Sequence, residues 1–262
     1  MLRRLMLALR FIKYRSRAGN SHSIHSPFVF ELYTKAIRGT TNNTAAETIR
    51  QLQNKMMRDH RILNITDYGT AEGKTVNRRL SINYIASHYA SQNKKAGLLF
   101  RLSKYFSPAS ILELGTSIGI GTTALTLGSP TAKIISLEGS AEVAEAAKEN
   151  LYLSGIKNAE VITGEFSSTL PDALKNFSSV DLVFIDGNHR SKPTLNYFAQ
   201  CLTKTNENSV FIFDDIHWST DMEDAWKQIQ NHPSVSIAID LFEVGLVFFR
   251  KGIAHQNFTL KF

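Results

Sequence analysis

The run Glu113-Leu-Gly-Thr-Ser-Ile-Gly-Ile-Gly-Thr122, entered through the apolar pair Ile111-Leu112, is spelled as a strand, a glycine turn and a helix start. Glycines at 115, 119 and 121 permit backbone conformations and a close ligand approach that a Cβ would block. A helix beginning there offers free N–H groups, the usual grip on a nucleotide-like ligand. The spacing also excludes two alternatives. A dinucleotide fingerprint has its second glycine two residues after the first, where this chain has Ser117, and no Gly-Lys-Ser/Thr follows to make a Walker loop.

Beyond the turn, Thr122 to Leu127 is a short helical run and Lys133 to Leu137 a second apolar strand that ends in Glu138, 23 residues after Gly115. A carboxylate in that position can accept from both hydroxyls of a ribose, the role of the acid about 20 residues on in dinucleotide folds. The competing assignment makes Glu138 a cap for the helix that starts near Ala141. Strands are expected at 110–114, 133–137, 159–163, 180–185, 209–213, 235–239 and 245–249, with helical patterns between most of them. Only the last two are close enough for an antiparallel pair, because parallel neighbours need a crossover of about a dozen residues. The expected fold is therefore α/β: a seven-stranded, mostly parallel, Rossmann-like sheet with an antiparallel last strand, preceded by a mainly helical N-terminal region. The boundary falls near Ser107-Pro108, dividing residues 1–107 from 108–262.

From about residue 108 to 262 the chain resembles the class I S-adenosylmethionine-dependent methyltransferases. Their acid-x-Gly-x-x-x-Gly motif is matched by Glu113, Gly115 and Gly119, their second acid by Glu138, and a further contact region by Thr163-Gly-Glu-Phe166. The resemblance implies that Glu113 helps hold the methionine end of the cofactor and that Gly115, Thr116, Ser117 and Gly119 lie against it. It further implies that Glu138, followed by Gly139, binds the ribose and that Glu165 or Phe166 borders the adenine.

The fourth expected strand finishes in Asp186-Gly-Asn-His189 and the fifth in Asp214-Asp215-Ile-His217-Trp218. Neighbouring strand ends bring the three aspartates together, and such a cluster repels itself unless a cation or proton compensates. Hard divalent ions take oxygen ligands of this kind. The arrangement looks like the metal-dependent O-methyltransferases of the catechol and macrolide types. That resemblance implies Mg²⁺ or another divalent ion on Asp186, Asp214 and Asp215, with His189 as the base and His217 as a second candidate. It departs from the catechol type in having Asp-Asp for acid-amide and His for lysine. Asp186 as a cofactor contact, Asp214 as a buried hydrogen-bonded acid and Asp215 as a helix cap are the structural alternatives. Arg190 and Lys192 are placed to draw in an anionic acceptor.

Charge is unevenly spread: residues 1–105 carry 19 Lys/Arg against 5 Asp/Glu, and residues 106–262 carry 11 against 18. A basic first third suggests an anionic contact, such as RNA, a phosphorylated metabolite or a lipid surface, or simply docking on the acidic remainder. Leu2, Leu5, Met6, Leu9 and Ile12 fall at helical spacing among Arg3, Arg4, Arg10 and Lys13, an amphipathic pattern suited to packing or to a peripheral membrane contact through residues 1–17. Pro27 then leads into a helix from Phe28 to Ile37, and His22 and His25 fall in the loop before it. Asp67-Tyr-Gly-Thr-Ala-Glu-Gly73 repeats the acid-x-Gly-x-x-x-Gly spelling, but Lys74 to Lys95 reads as helical and basic, so 67–75 is expected to be a loop, lid or substrate-facing element. The single cysteine, Cys201, permits no intramolecular disulfide and agrees with a reducing, cytoplasmic setting. The expected function is methyl transfer to an oxygen of a small or conjugated acceptor. An RNA methyltransferase and a non-catalytic cofactor-binding protein are the alternatives, and an oligomer is compatible with all three.

Overall fold

The computed structural model describes residues 2–68, 75–88 and 92–262. In chain order the main elements are α1 (Leu2–Arg17), α2 (Pro27–Leu32), α3 (Asn43–Met56), β1 (Ile62–Asp67), β2 (Val76–Ser81), α4 (Ile82–His88) and α5 (Gln92–Phe106). There follow β3 (Ser110–Leu114), α6 (Ile120–Gly128), β4 (Lys133–Glu138), α7 (Ala141–Leu153), β5 (Ala159–Thr163), α8 (Phe166–Lys175), β6 (Leu182–Ile185) and α9 (Ser191–Leu202). The chain ends with β7 (Val210–Asp214), α10 (Thr220–Gln230), β8 (Ile237–Asp240), β9 (Val244–Phe248) and β10 (Gln256–Thr259). The main sheet has eight strands in the order β10-β8-β9-β7-β6-β3-β4-β5, and only β9 runs against its neighbours.

All seven expected strands are present, and the antiparallel one is β9. The expectation of seven strands is corrected to eight. Gln256–Thr259, the last strand in the chain, adds to the edge parallel to β8, with Phe258 opposite Ile239. It is four residues long, three of them polar, too short to show a period. The N-terminal region is also less helical than expected. Val76–Ser81, within the stretch read as helical, pairs antiparallel with β1 from Ile62↔Ser81 to Asp67↔Val76. Its Asn77, Arg78 and Arg79 are exposed, so no buried face marked the strand in the sequence. Residues 69–74 of the second glycine motif lie outside the described residues.

The expected helix over 28–37 forms as α2, capped by the Ser26 side chain with Pro27 in its first turn, and continues as one wider turn through Tyr33–Ile37. Period-2 alternation splits the sheet into two buried faces. Ile111, Leu182, Phe184, Val210 and Ile212 face one way and share a core with Leu32, Ile37, Ile49 and Leu99 of the N-terminal helices. Leu112, Leu114, Val183, Phe211 and Phe213 face the other way, against Leu170, Phe198 and Trp226. The core thus runs straight across the Ser107-Pro108 boundary. No helix among the described residues is long and apolar enough to cross a membrane.

Candidate active site

Strand order reverses direction between β3 and β6, and open parallel sheets leave a crevice at such a switch, outside the carboxyl ends of the strands. Gly115 sits there with φ +106°, and a Cβ on it would stand 2.3 Å from the Asp186 carbonyl oxygen. Glycine is thus required by both backbone conformation and space. Ser117 (φ 49°) and Gly119 (φ 90°) complete the turn, and Gly119 caps α6.

Glu138 stands across this loop at the end of β4. Its Oε2 accepts from the Ser117 amide at 2.8 Å and its Oε1 from the Ser140 amide at 3.0 Å. Burial raises its pKa, while the amides of Ser140, Ser117 and Gly139 pull the other way. The carboxylate therefore touches the glycine loop and the α7 start together. Glu113 is fully enclosed below the loop and accepts from Thr122 Oγ1 at 2.5 Å and Ser136 Oγ at 2.6 Å. Burial lifts its pKa to about 7, and its Oε1 has no hydrogen-bond partner. Two aromatic rings flank this end of the sheet. Phe166 lies where a Cβ on Gly187 would meet it at 2.5 Å, and its ring meets Tyr197 edge-on at 5.7 Å. Glu165, beside it, is exposed. Tyr68, at the end of β1, lies where a Cβ on Gly139 would meet its ring at 3.0 Å. The hairpin is held there by Glu142, whose Oε2 accepts from the Asn64 amide and whose Oε1 accepts from the Asn64 side chain, both at 2.6 Å.

At the ends of β6 and β7 the structure does bring Asp186, Asp214 and Asp215 together, and it adds a fourth residue. Lys95, buried on α5, places its Nζ 2.5 Å from Asp214 Oδ2 and 3.8 Å from Asp215 Oδ1. Burial disfavours the ammonium, but Asp214, Asp186 and Asp215 outweigh it and hold Lys95 above the ordinary lysine range. Burial would raise Asp214 too, yet Lys95 keeps it below the usual carboxylate value. Asp186 goes the other way: burial and then Asp214 push it well above its ordinary value, and the two carboxyls are within hydrogen-bonding reach. Burial and Asp214 also lift Asp215 to about 6. One cation and unequal ionisation therefore compensate the cluster. His189 stands at its margin, with Nε2 3.7 Å from Asp186 Oδ1 and a third of the side chain exposed.

As arranged, these acids do not fit a hard divalent ion, which needs several oxygens converging on one point. The Lys95 ammonium lies against Asp214 and within 3.8 Å of Asp215, and among the described residues no three His, Cys, Asp or Glu side chains are grouped to hold a metal. Lys95 escapes sequence reasoning because it lies 119 residues from Asp214, in a stretch where basic residues look like a solvated face.

His217 is placed differently from the expectation of a second base. Its Nδ1 is 2.9 Å from Glu223 and its Nε2 2.8 Å from Asp240, and the ring stacks on Phe242. Both nitrogens are committed to carboxylates, so the ring is a clamp between α10 and the end of β8. Burial works against its charged form, but the Asp240 and Glu223 bonds raise its pKa. His22 and His25 are exposed in the loop before α2.

Residues 112–216 match a protein-family profile described as a methyltransferase domain. No curated protein matches the chain in sequence. Among solved structures, the chain is similar to the SAH-bound methyltransferase PaMTH1 of Podospora anserina, at 14% identity over 87% of this chain and 97% of that one, with a TM-score of 0.57. It is similar to the O-methyltransferase TomG of Streptomyces achromogenes, involved in tomaymycin synthesis and solved with SAM, at 15% identity over 85% and 96%, TM-score 0.55. It is also similar to an O-methyltransferase of Bacillus cereus in complex with SAH, at 18% identity over 79% and 91%, TM-score 0.52.

Proposed function

We propose that this chain, whose residues 112–216 match a methyltransferase-domain profile, moves a methyl group from S-adenosylmethionine to an oxygen of a small or conjugated acceptor. The observation that carries the reading is the placement of two sites on adjacent strand ends: the Gly115–Gly119 loop faced by Glu138, and the acid cluster bordered by His189. The structural relatives solved with SAM or SAH support the cofactor, and those named O-methyltransferases support the oxygen acceptor.

The cofactor pocket fits the chemistry of its residues. Gly115 lets the loop pass directly over the Asp186 carbonyl, the buried Glu113 Oε1 lacks a partner, and Glu138 sits where two hydroxyls can be accepted. Bound there, S-adenosylmethionine supplies a sulfonium methyl group open to in-line displacement. Phe166 and Tyr68 shield the flat part of the ligand from water, and the adjacent strand ends align donor and acceptor. His189, at the margin of the cluster, is the residue placed to take the acceptor proton. Arg190 and Lys192, at the start of α9, favour an acceptor that carries a negative group. The Lys95 ammonium stands against Asp214 and near Asp215, where a divalent ion would have to sit.

A polyanionic acceptor such as RNA draws support only from the basic first third of the chain. Part of that charge is engaged: Arg10 pairs with Glu223, Arg50 with Glu47, Arg61 with Asp59 and Glu149, and Arg101 donates to the Ala36 and Ile37 carbonyls.

Calorimetric titration with S-adenosylmethionine tests the reading. Binding is expected both with Mg²⁺ and with a chelator. Glu138→Ala should weaken it roughly 10-fold to 100-fold, the loss of one charge-assisted hydrogen bond at about 1.5–3 kcal/mol. Absence of binding under either condition sinks the proposal and leaves the glycine turn a bare strand-to-helix connection.

A further inference from the structure

We infer that Lys95 is the built-in cation of the acceptor site, replacing a divalent ion at the ends of β6 and β7, so that methyl transfer by this chain is metal-independent. The inference rests on reading Asp186, His189, Asp214 and Asp215 as the acceptor site.

Three observations carry it. The ammonium is buried, lies 2.5 Å from Asp214 Oδ2 and is directed between the two acids that end β7. Lys95 is fixed by its helix: α5 packs along α6, with Leu98, Leu99 and Leu102 in the core, so the side chain enters from a rigid element. Asp214 Oδ1 is buried with no nitrogen or neutral hydroxyl partner, and only the Asp186 carboxyl lies within hydrogen-bonding reach of Asp214, so Lys95 is the one cationic donor on this acid. An ammonium has three donors. Asp214 engages one, and an acceptor oxygen entering beside Asp214 can accept from another.

The chemistry balances without a metal. The acceptor O–H bond breaks and its proton passes to the His189 imidazole. The oxygen forms a bond to the sulfonium methyl carbon as the carbon–sulfur bond breaks, and that electron pair stays on sulfur, leaving a neutral thioether. The fixed positive charge of Lys95 favours the partly negative oxygen during this step, as a bound cation would. The acceptor class that suits it is an acidic hydroxyl, such as a phenol or enol, whose oxygen one ammonium can bring to reactivity.

Titration with Mn²⁺, followed by calorimetry and by the spin signal of the free ion, tests the inference in the absence of any acceptor. The wild-type protein is expected to bind no Mn²⁺ at this site up to the millimolar range. Lys95→Ala removes the resident cation and should gain a Mn²⁺ site at least tenfold tighter, which Asp214→Asn in the same background abolishes. Lys95→Arg should stay closed to the ion. Stoichiometric Mn²⁺ binding by the wild type, lost in Asp214→Asn or Asp215→Asn, overturns the inference whatever the variants do. So does a folded Lys95→Ala protein that gains no site. Should Lys95→Ala fail to fold, the wild-type titration and turnover in chelator decide the matter. S-adenosylmethionine binding measured on the same samples separates the two claims: its absence in the wild type removes the proposed function, and the Mn²⁺ result alone decides the role of Lys95.

Discussion

Gly115 shows how much one missing Cβ decides. At φ +106°, with the Asp186 carbonyl 2.3 Å from where a Cβ would stand, alanine is both strained and in collision. The left-handed conformation alone costs about 1–2 kcal/mol, and relieving the contact must separate the ends of β3 and β6. Gly115→Ala is therefore expected to lower stability by roughly 2 kcal/mol or more in denaturant unfolding and to abolish S-adenosylmethionine binding. Gly139 is a milder case. A Cβ there meets the Tyr68 ring at 3.0 Å, so alanine should displace Tyr68 while leaving the sheet intact, read as increased proteolysis near residue 68 with little change in Tm. The glycines were legible from sequence because turn geometry is a local property. What Gly115 and Gly139 abut was not, since Asp186 and Tyr68 are brought by other parts of the chain.

Among the elements, α1 depends most on a contact outside itself. Its inner side packs Phe11 and Tyr14 on Phe242, a residue at φ 76° in the tight β8–β9 connection, and Arg10 reaches Glu223. Glu223 and Asp240 hold His217 between them, so this clamp links α1, α10 and β8. Because the folded protein raises the His217 pKa, its contribution is full below the unfolded value of about 6.5 and fades as pH climbs through the raised value. His217→Gln should lose about 1–3 kcal/mol at pH 6 and show a flatter stability profile above it, measured by urea unfolding across pH. The outer side of α1 leaves Leu5, Met6, Leu9 and Ile12 exposed, so every member of the amphipathic stripe read from the sequence whose burial is described lies outside the protein's own core, and the helix packs instead through Leu7 and Tyr14. Deleting residues 1–17 removes the contacts of α1 with α10, Phe242 and Leu260. The acceptor KM should rise with little change in cofactor affinity, and an equal loss of both would mark α1 as purely structural.

The whole molecule is closed by its two termini. Gly19 bridges to Leu260, the Tyr14 hydroxyl donates to the Leu260 carbonyl, and the Tyr33 hydroxyl donates to that of Lys261 at 3.0 Å. Removing residues 254–262 strips β10 from the sheet and exposes the partners of Leu260, which is buried. At about 2–3 kcal/mol for that side chain alone, Tm should fall by roughly 5 °C or more in a thermal melt, with the basic N-terminal region loosening first. The same closure explains the limits of the sequence reading. Seven strands, the reversed β9, the glycine turn, and the acids that end β4, β6 and β7 were all determined by the sequence itself. Each is spelled by contiguous residues whose backbone preference and hydropathy period act over a few positions. The eighth strand, the β1–β2 hairpin on α7, the clamp around His217 and above all the Lys95 ammonium among the aspartates were decided only by the tertiary structure. Those features exist because the fold brings residues from distant segments within a few ångströms of one another, and burial then makes one charge the necessary partner of another. No local pattern in the chain encodes that meeting.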